Sequence, residues 1–173
     1  MNYINDAMRA QIGVETEKRT AAEPIGQDAL RRFVHATMEE NPVHFDPAAA
    51  SASRFGEVVA PPLYPVHAFR RPAASPDPLN RAAEDRDWDG SGSNRSELPP
   101  LDLPFVRHLN GGSEVEFFQC AKVGDVISEV SSYSSIEEKS AESGPMVLVT
   151  TETTYSNQDG EILLKVRKTG IHR

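Results

Sequence analysis

The residues of this chain best suited to chemistry crowd into one short stretch, TMEENPVHFDP, where Glu39, His44 and Asp46 flank an Asn41-Pro42 break. A helix that ends at an Asn-Pro step turns the backbone sharply, because the residue before a proline avoids helical geometry. A carboxylate on the last helical turn and a histidine five residues later can then point into one cavity. Such a pair suits proton transfer: an imidazole titrates near pH ~6.5, and a neighbouring carboxylate can orient it and hold its charge. The same spacing also allows a plainer arrangement, with Glu39 solvated at the helix end and His44 packed in a turn. Nothing else in the chain is comparable. His35, His67, His108 and His172 share no spacing that would make a metal site. The lone Cys120 can form neither an intrachain disulfide nor the usual structural zinc centre, so no metal and no resident cofactor is expected.

Three zones of different texture must position that stretch. Residues 1–71 have a mostly helical rhythm. Its clearest helix is predicted over Gln27–Glu40, with Leu30, Phe33, Val34 and Thr37 at helical spacing, Asp28 in the first turn and Pro42 as its bound. A short strand is expected within Lys18–Ile25, and Asp46-Pro47 reads as an N-cap and first position of an Ala-rich helix through Ser53. Residues 72–104 hold six of the 13 prolines and seven acids without helical or strand period, which predicts a long loop. Trp88 sits within it, and Leu98, Leu101, Leu103 and Phe105 are placed to pin its far end. That loop is expected to serve as a lid or interface element, or as a surface loop anchored by Trp88.

From Ser113 onward the pattern is that of strands: Ser113–Gln119, Val126–Glu137, Met146–Ser156 and Glu161–His172. Val123-Gly124-Asp125, Lys139–Gly144 and Asn157–Gly160 are the turns between them. Thr150, Thr151, Thr153 and Thr154 favour a sheet through their branched side chains. Helices followed by an antiparallel meander describe an α+β fold, a single domain of 173 residues. The last twelve residues carry Lys165, Arg167, Lys168 and Arg173 and no acid. They fit either phosphate groups at a cleft or a polar outer strand face that balances nearby acids.

Composition narrows the function further. A formal charge of −8, from 18 basic and 26 acidic residues, has the wrong sign for gripping nucleic acid over a whole surface. No apolar run reaches the roughly 20 residues that span a bilayer, and MNYINDAMRAQIG lacks the apolar stretch of a signal peptide. A cytoplasmic location without membrane or nucleic-acid partners is expected.

NPVHFD preceded by a carboxylate resembles the D-x-N-P-x-H-x-D signature of the MaoC-like (R)-specific enoyl-CoA hydratases and dehydratases. RFGEVVAPPLYP (Arg54–Pro65) is similar to the family stretch that ends at the start of the central helix. LNGGSEVEFF and AKVGD (Leu109–Asp125) are similar to the strand and Gly-Asp turn after it. The likeness is greatest to the N-terminal-type MaoC dehydratase domain. It covers the chain apart from the first dozen residues and the 72–104 loop.

The resemblance implies a hotdog fold, a curved antiparallel sheet wrapped around a central helix. It implies addition of water to the 2,3 double bond of an enoyl thioester of CoA or an acyl carrier, or the reverse reaction. Matched residue by residue, His44 is the catalytic histidine and Asn41 the turn asparagine, while Glu39 stands where the family has Asp. The glycine whose N–H steadies the thioester oxygen falls on Pro62, which has no N–H, so the donor would be the Leu63 amide or a group from another chain. Asn41, Pro62 and Leu63 are thereby the expected substrate-binding residues. The open sheet edge and the family habit both imply a dimer, with a second copy or with a second MaoC-like hotdog subunit. Two functions follow: a hydratase or dehydratase, or an acyl-binding hotdog that shapes the tunnel of its partner.

Overall fold

The computed structural model describes residues 3–69, 74, 97–141 and 144–173. Five strands form one antiparallel sheet: β1 (Arg19–Thr20), β2 (His108–Phe117), β3 (Ser128–Ala141), β4 (Gly144–Ser156) and β5 (Ile162–His172). Their order across the sheet is β1-β3-β4-β5-β2. The three long strands at the C-terminal end are the expected meander. Their side chains alternate faces, so Val147, Val149, Thr151, Thr153 and Tyr155 share one face of β4. Opposite them, Leu164 pairs with Tyr155 and Val166 with Thr153.

That inner face carries two apolar clusters. In the first, helix α2 (Gln27–Ala36) lays Leu30 and Val34 against Ile127, Tyr155, Leu163 and Leu164. Leu164 and Ile127 are fully buried, each contributing about 1.5–3 kcal/mol through burial of its side chain. In the second, Ile4 and Met8, which flank and belong to the short helix α1 (Asp6–Arg9), join Leu98, Tyr133, Ile136, Val147 and Val149. Leu101, Leu103 and Phe105 pack against this cluster, and the Tyr133 hydroxyl donates to the Pro99 carbonyl at 2.7 Å. The far end of the proline-rich span is therefore pinned by the leucines that the sequence singled out. Trp88 and most of that span lie outside the described residues.

Several predicted boundaries move, each for a local reason. Helix α2 stops at Ala36, not Glu40: Met38 takes a left-handed φ of 52°, Met38 N–H donates to the His35 carbonyl at 3.2 Å and Glu39 N–H to the Val34 carbonyl at 3.0 Å. These two bonds satisfy the terminal carbonyls and close the helix four residues early. Strand β2 begins at His108, ahead of the predicted Ser113, because a register shift between Asn110 and Gly112 absorbs the Gly-Gly pair. A Cβ at Gly111 would lie 2.9 Å from the Thr169 carbonyl oxygen, so only glycine fits there. The predicted turn over Lys139–Gly144 is mostly strand, since β3 runs to Ala141 and β4 starts at Gly144. The Asn157–Gly160 turn forms as expected, with Asn157 Oδ1 accepting from Asp159 and Glu161 N–H and Gly160 at φ 80°. Lys165 and Arg167 both face Glu152, at 4.0 and 2.6 Å, the charge-balancing arrangement of an outer strand face.

Candidate functional site

The turn after α2 is built by its own side chains. Asn41 caps the short 3-10 turn Pro42–His44, its Oδ1 accepting from Val43 N–H at 3.3 Å. Asp46 then caps helix α3 (Pro47–Ala52), accepting from Ala48 N–H at 2.8 Å and Ala49 N–H at 3.4 Å. Asp46 is thus spent on capping, as the Asp-Pro pair predicted, and does not serve His44.

His44 is 6% exposed, one of few buried polar side chains in the described residues. Its Nδ1 lies 2.8 Å from the Val59 carbonyl oxygen. A carbonyl has no proton to give, so Nδ1 carries the hydrogen, and the neutral ring keeps its lone pair on Nε2. The Val59 carbonyl is itself fixed: Val59 N–H reaches the Val43 carbonyl at 3.4 Å, Ala60 N–H the Ala121 carbonyl at 2.8 Å, and Val59 bridges Lys122. The imidazole is held in one tautomer by a backbone group, fifteen residues on, that no sequence pattern marks.

Glu39 lies beyond the helix end, not on its last turn as expected. Its carboxylate accepts from Asn41 N–H at 3.1 Å, and among the described residues no ion pair joins it to His44. The two residues bracket one turn without forming a closed dyad, and Asn41 links them, through its N–H to Glu39 and its carbonyl to the His44 N–H at 3.2 Å.

Pro62 and Leu63 are the central residues of a turn in which Tyr64 N–H donates to the Pro61 carbonyl at 2.8 Å. Both are exposed. Pro62 brings no donor, and the Leu63 N–H has no hydrogen-bond partner among the described residues. Where the resemblance places the start of a central helix, the described residues form one 3-10 turn, Tyr64–His67; the helix seated on the sheet is α2. Tyr64 is buried in the core beside α2, edge-on to Phe33 at 5.1 Å, which fixes the Pro61–Tyr64 turn to the helix that leads into the His44 turn.

Other reactive groups are quieter. Burial pushes the Cys120 thiol up from its ordinary value, against the opposing pull of Arg54, which keeps it protonated and unreactive at neutral pH. His108 and His172, 64 positions apart, are register partners at the ends of β2 and β5 with ring centroids 4.3 Å apart. Only topology, not spacing, brings them together. Burial first, and His108 second, lower the His172 pKa. Among the described residues no group of three or more His, Cys, Asp or Glu converges as a metal site, and no helix is long and apolar enough to cross a membrane.

Comparison with known proteins places this geometry. The family described as FAS1-like, dehydratase domain region, matches residues 10–166. A UPF0336 protein of Streptomyces avermitilis is 27% identical over 113 residues, 65% of this chain and 63% of that protein, so the match spans a little under two thirds of the relative. The ChsH1-ChsH2 complex of Mycobacterium tuberculosis contains a chain that superposes with a TM-score of 0.67 at 17% identity, over 91% of this chain and 83% of that one. A chain of the C-terminally truncated HadBC (3R-hydroxyacyl-ACP dehydratase) complex of the same organism gives 0.56 at 16%, over 93% and 98%. At these identities the structures establish the hotdog fold.

Proposed function

Because the chain belongs to the FAS1-like dehydratase-region family, whose members are MaoC-like hotdogs, we propose that it acts on 2-enoyl or 3-hydroxyacyl thioesters, of CoA or an acyl carrier, as one subunit of a two-hotdog assembly. The observation that carries this reading is the buried His44, held by the Val59 carbonyl with Nε2 left as a base.

In the hydration direction, the oxygen of a water adds to C3 of the enoyl group while Nε2 takes one of its protons. The electron pair of the double bond moves through C2 to the thioester oxygen, and a proton from the imidazolium then closes C2. His44 begins and ends neutral, and atoms balance without a cofactor. The carboxylate of Glu39 orders the Asn41 turn that carries His44, a positioning role.

The weak point of such a site is the thioester oxygen. One missing oxyanion donor costs about 3–4 kcal/mol in the transition state, a few hundredfold in rate. With Pro62 in the donor position, the lone chain is a poor enzyme unless the Leu63 amide or a group of the second subunit supplies the bond. Pro62 also favours a second reading, in which this chain holds the acyl group and the second hotdog performs the chemistry.

Following the absorbance of a short 2-enoyl-CoA separates the two. If His44 is the base, His44→Ala lowers kcat of the assembly by about 10²–10⁴ with substrate binding retained, and Glu39→Gln lowers it less. Unchanged turnover in both variants assigns the chemistry to the second subunit. Full turnover by the lone chain overturns the assisting reading and points to the Leu63 amide.

A further inference from the structure

Arg107 and Arg173 exchange both backbone hydrogen bonds, each at 3.0 Å, beside the start of β2. The next pair inward, His108 opposite His172, is therefore the kind without hydrogen bonds of its own, in which the Cα atoms approach to about 4.5 Å and the side chains stand closest. Both rings lie on the inner face, since His172 is also the register partner of Val147. Their centroids are 4.3 Å apart and their planes are tilted by 57°, so the two are not stacked face to face. His108 is exposed and His172 partly buried, and among the described residues neither ring has a hydrogen-bond partner. Two positions back along β5, a Cβ at Gly170 would lie 3.7 Å from His172 Nε2 and 3.8 Å from the Val149 carbonyl oxygen. With glycine there, that nitrogen overlooks bare backbone, and the room a side chain would fill is open. Burial first, and His108 second, lower the His172 pKa, which leaves its ring with a free lone pair at neutral pH.

We infer that His108 and His172 form a two-imidazole site for a divalent late transition-metal ion of the Cu²⁺ or Ni²⁺ kind, which fastens the start of β2 to the end of β5. Imidazole nitrogen suits such ions and not Mg²⁺ or Ca²⁺, which take oxygen ligands. The angle between the rings decides among them. One nitrogen of each ring, about 2.1 Å from a shared ion and at right angles across it, sets the ring centroids about 4.5 Å apart, whereas the tetrahedral angle of Zn²⁺ sets them about 5.3 Å apart. The observed 4.3 Å matches the square arrangement of Cu²⁺ and Ni²⁺. Water completes the coordination in the space over Gly170. Spacing along the chain hides this pair, and the strand register alone makes it. The inference is independent of the thioester chemistry proposed above, in which the ion takes no part.

Equilibrium dialysis of the full chain against micromolar Ni²⁺ tests it. The expected result is one bound ion per chain, with affinity lowered roughly tenfold or more by His108→Asn or by His172→Asn and unchanged by His35→Asn on the exposed side of α2. Gly170→Asp places a third ligand beside His172 Nε2 and should tighten binding by about tenfold. Trace Cu²⁺, a paramagnetic ion, should broaden the ring signals of His108 and His172 before those of His35 and His67. That readout uses the wild-type chain and decides the matter even where a variant fails to fold. Ni²⁺ should also raise the Tm of the wild type and not that of His108→Asn, because an ion that binds only the folded state stabilises it. Retention of the ion in both histidine variants, an equal loss in His35→Asn, no gain from Gly170→Asp in a folded chain, or a preference for Zn²⁺ over Ni²⁺ in direct competition overturns the inference.

Discussion

The sheet has two edges, and the chain treats them differently. Beside β3 it lays its own N-terminal segment. Gly13 N–H donates to the Tyr133 carbonyl and Thr16 N–H to the Ser131 carbonyl, each at 2.9 Å, and β1 pairs Arg19 and Thr20 with Glu129 and Ser128. Farther along, the Tyr3 and Ile4 amides are taken by the Glu138 carboxylate, and Arg19 joins Glu129 at 3.0 Å while stacking over Phe69. Beside β2 the described residues place nothing. An unpaired edge is a template for another strand, and among the described residues the two edges differ in kind: the one beside β3 is closed by the chain's own N-terminal segment, and the one at β2 is bare, acidic in the middle and apolar at its ends.

The comparison is broken most severely at Ile4, which is 1% exposed and anchors the N-terminal strap in the second core cluster. Ile4→Ala removes that anchor and is expected to cost about 2–4 kcal/mol in urea unfolding, with the edge of β3 loosened as well. A loss below about 1 kcal/mol would mean that the strap is held by its backbone bonds and not by the core. Next in size is Tyr133→Phe, which deletes the partly buried bond to the carbonyl of the exposed Pro99. About 1 kcal/mol is expected, accompanied by faster proteolysis near Leu98. No change in either would separate the leucine-rich segment from the strap as a stabilising cover of the sheet.

How much of this was legible beforehand differs between the fold and the site. Strands β4 and β5 declared themselves through Thr150–Tyr155 and the Asn157–Gly160 turn, because a two-residue period and a turn are local properties. Asp46-Pro47 likewise specified its own helix cap. His44 stood out by type and by its Asn-Pro neighbour, but the bond that fixes its tautomer comes from Val59, whose carbonyl is positioned by a bridge to Lys122; a backbone acceptor brought in by tertiary pairing leaves no trace in residue type. Glu39 was displaced from the helix because a left-handed Met38 was chosen over the glycine or asparagine that would have announced the stop. The edge strand was legible from Ser113 onward, but its start at His108 was not, because the Gly111-Gly112 pair before it serves as a bulge that only the pairing with β5 reveals.

His172 sharpens the comparison at the open side, where it fastens the end of β5 to the start of β2 beside His108. Its pKa is lowered in the folded chain, by burial and then by His108. The folded state therefore resists a proton that the unfolded state accepts. That contribution to stability is present above the unfolded value near ~6.5 and is lost as pH falls toward the depressed folded value. Thermal unfolding followed between about pH 7.5 and about pH 5.5 should show a lower Tm at the acid end, and His172→Asn should flatten the difference. An equally steep profile in that variant would move the proton elsewhere. Corrected for the intrinsic slowing of amide exchange at lower pH, the protection of the β2 amides should drop at acid pH while that of the β3 amides holds.

The smallest expected effect on folding is the most informative about the bare edge. Glu114 stands across from Arg167, but Arg167 already has Glu152 at 2.6 Å, so Glu114→Gln removes a charge that no neighbour depends on. Stability should change by no more than about 0.5 kcal/mol. On the closed edge, Arg19→Ala takes away both the ion pair with Glu129, whose side chain is only 13% exposed, and the stack on Phe69, and about 1–2 kcal/mol is expected there. Two charges at the two margins of one sheet thus predict unequal losses, measurable in one set of urea titrations. Equal losses would mean that Glu114 is already committed within the chain. A near-silent Glu114→Gln beside a costly Arg19→Ala would show that the acids of β2, unlike the ion pair beside β3, contribute nothing measurable to the fold, since Arg167 keeps its closer partner in Glu152.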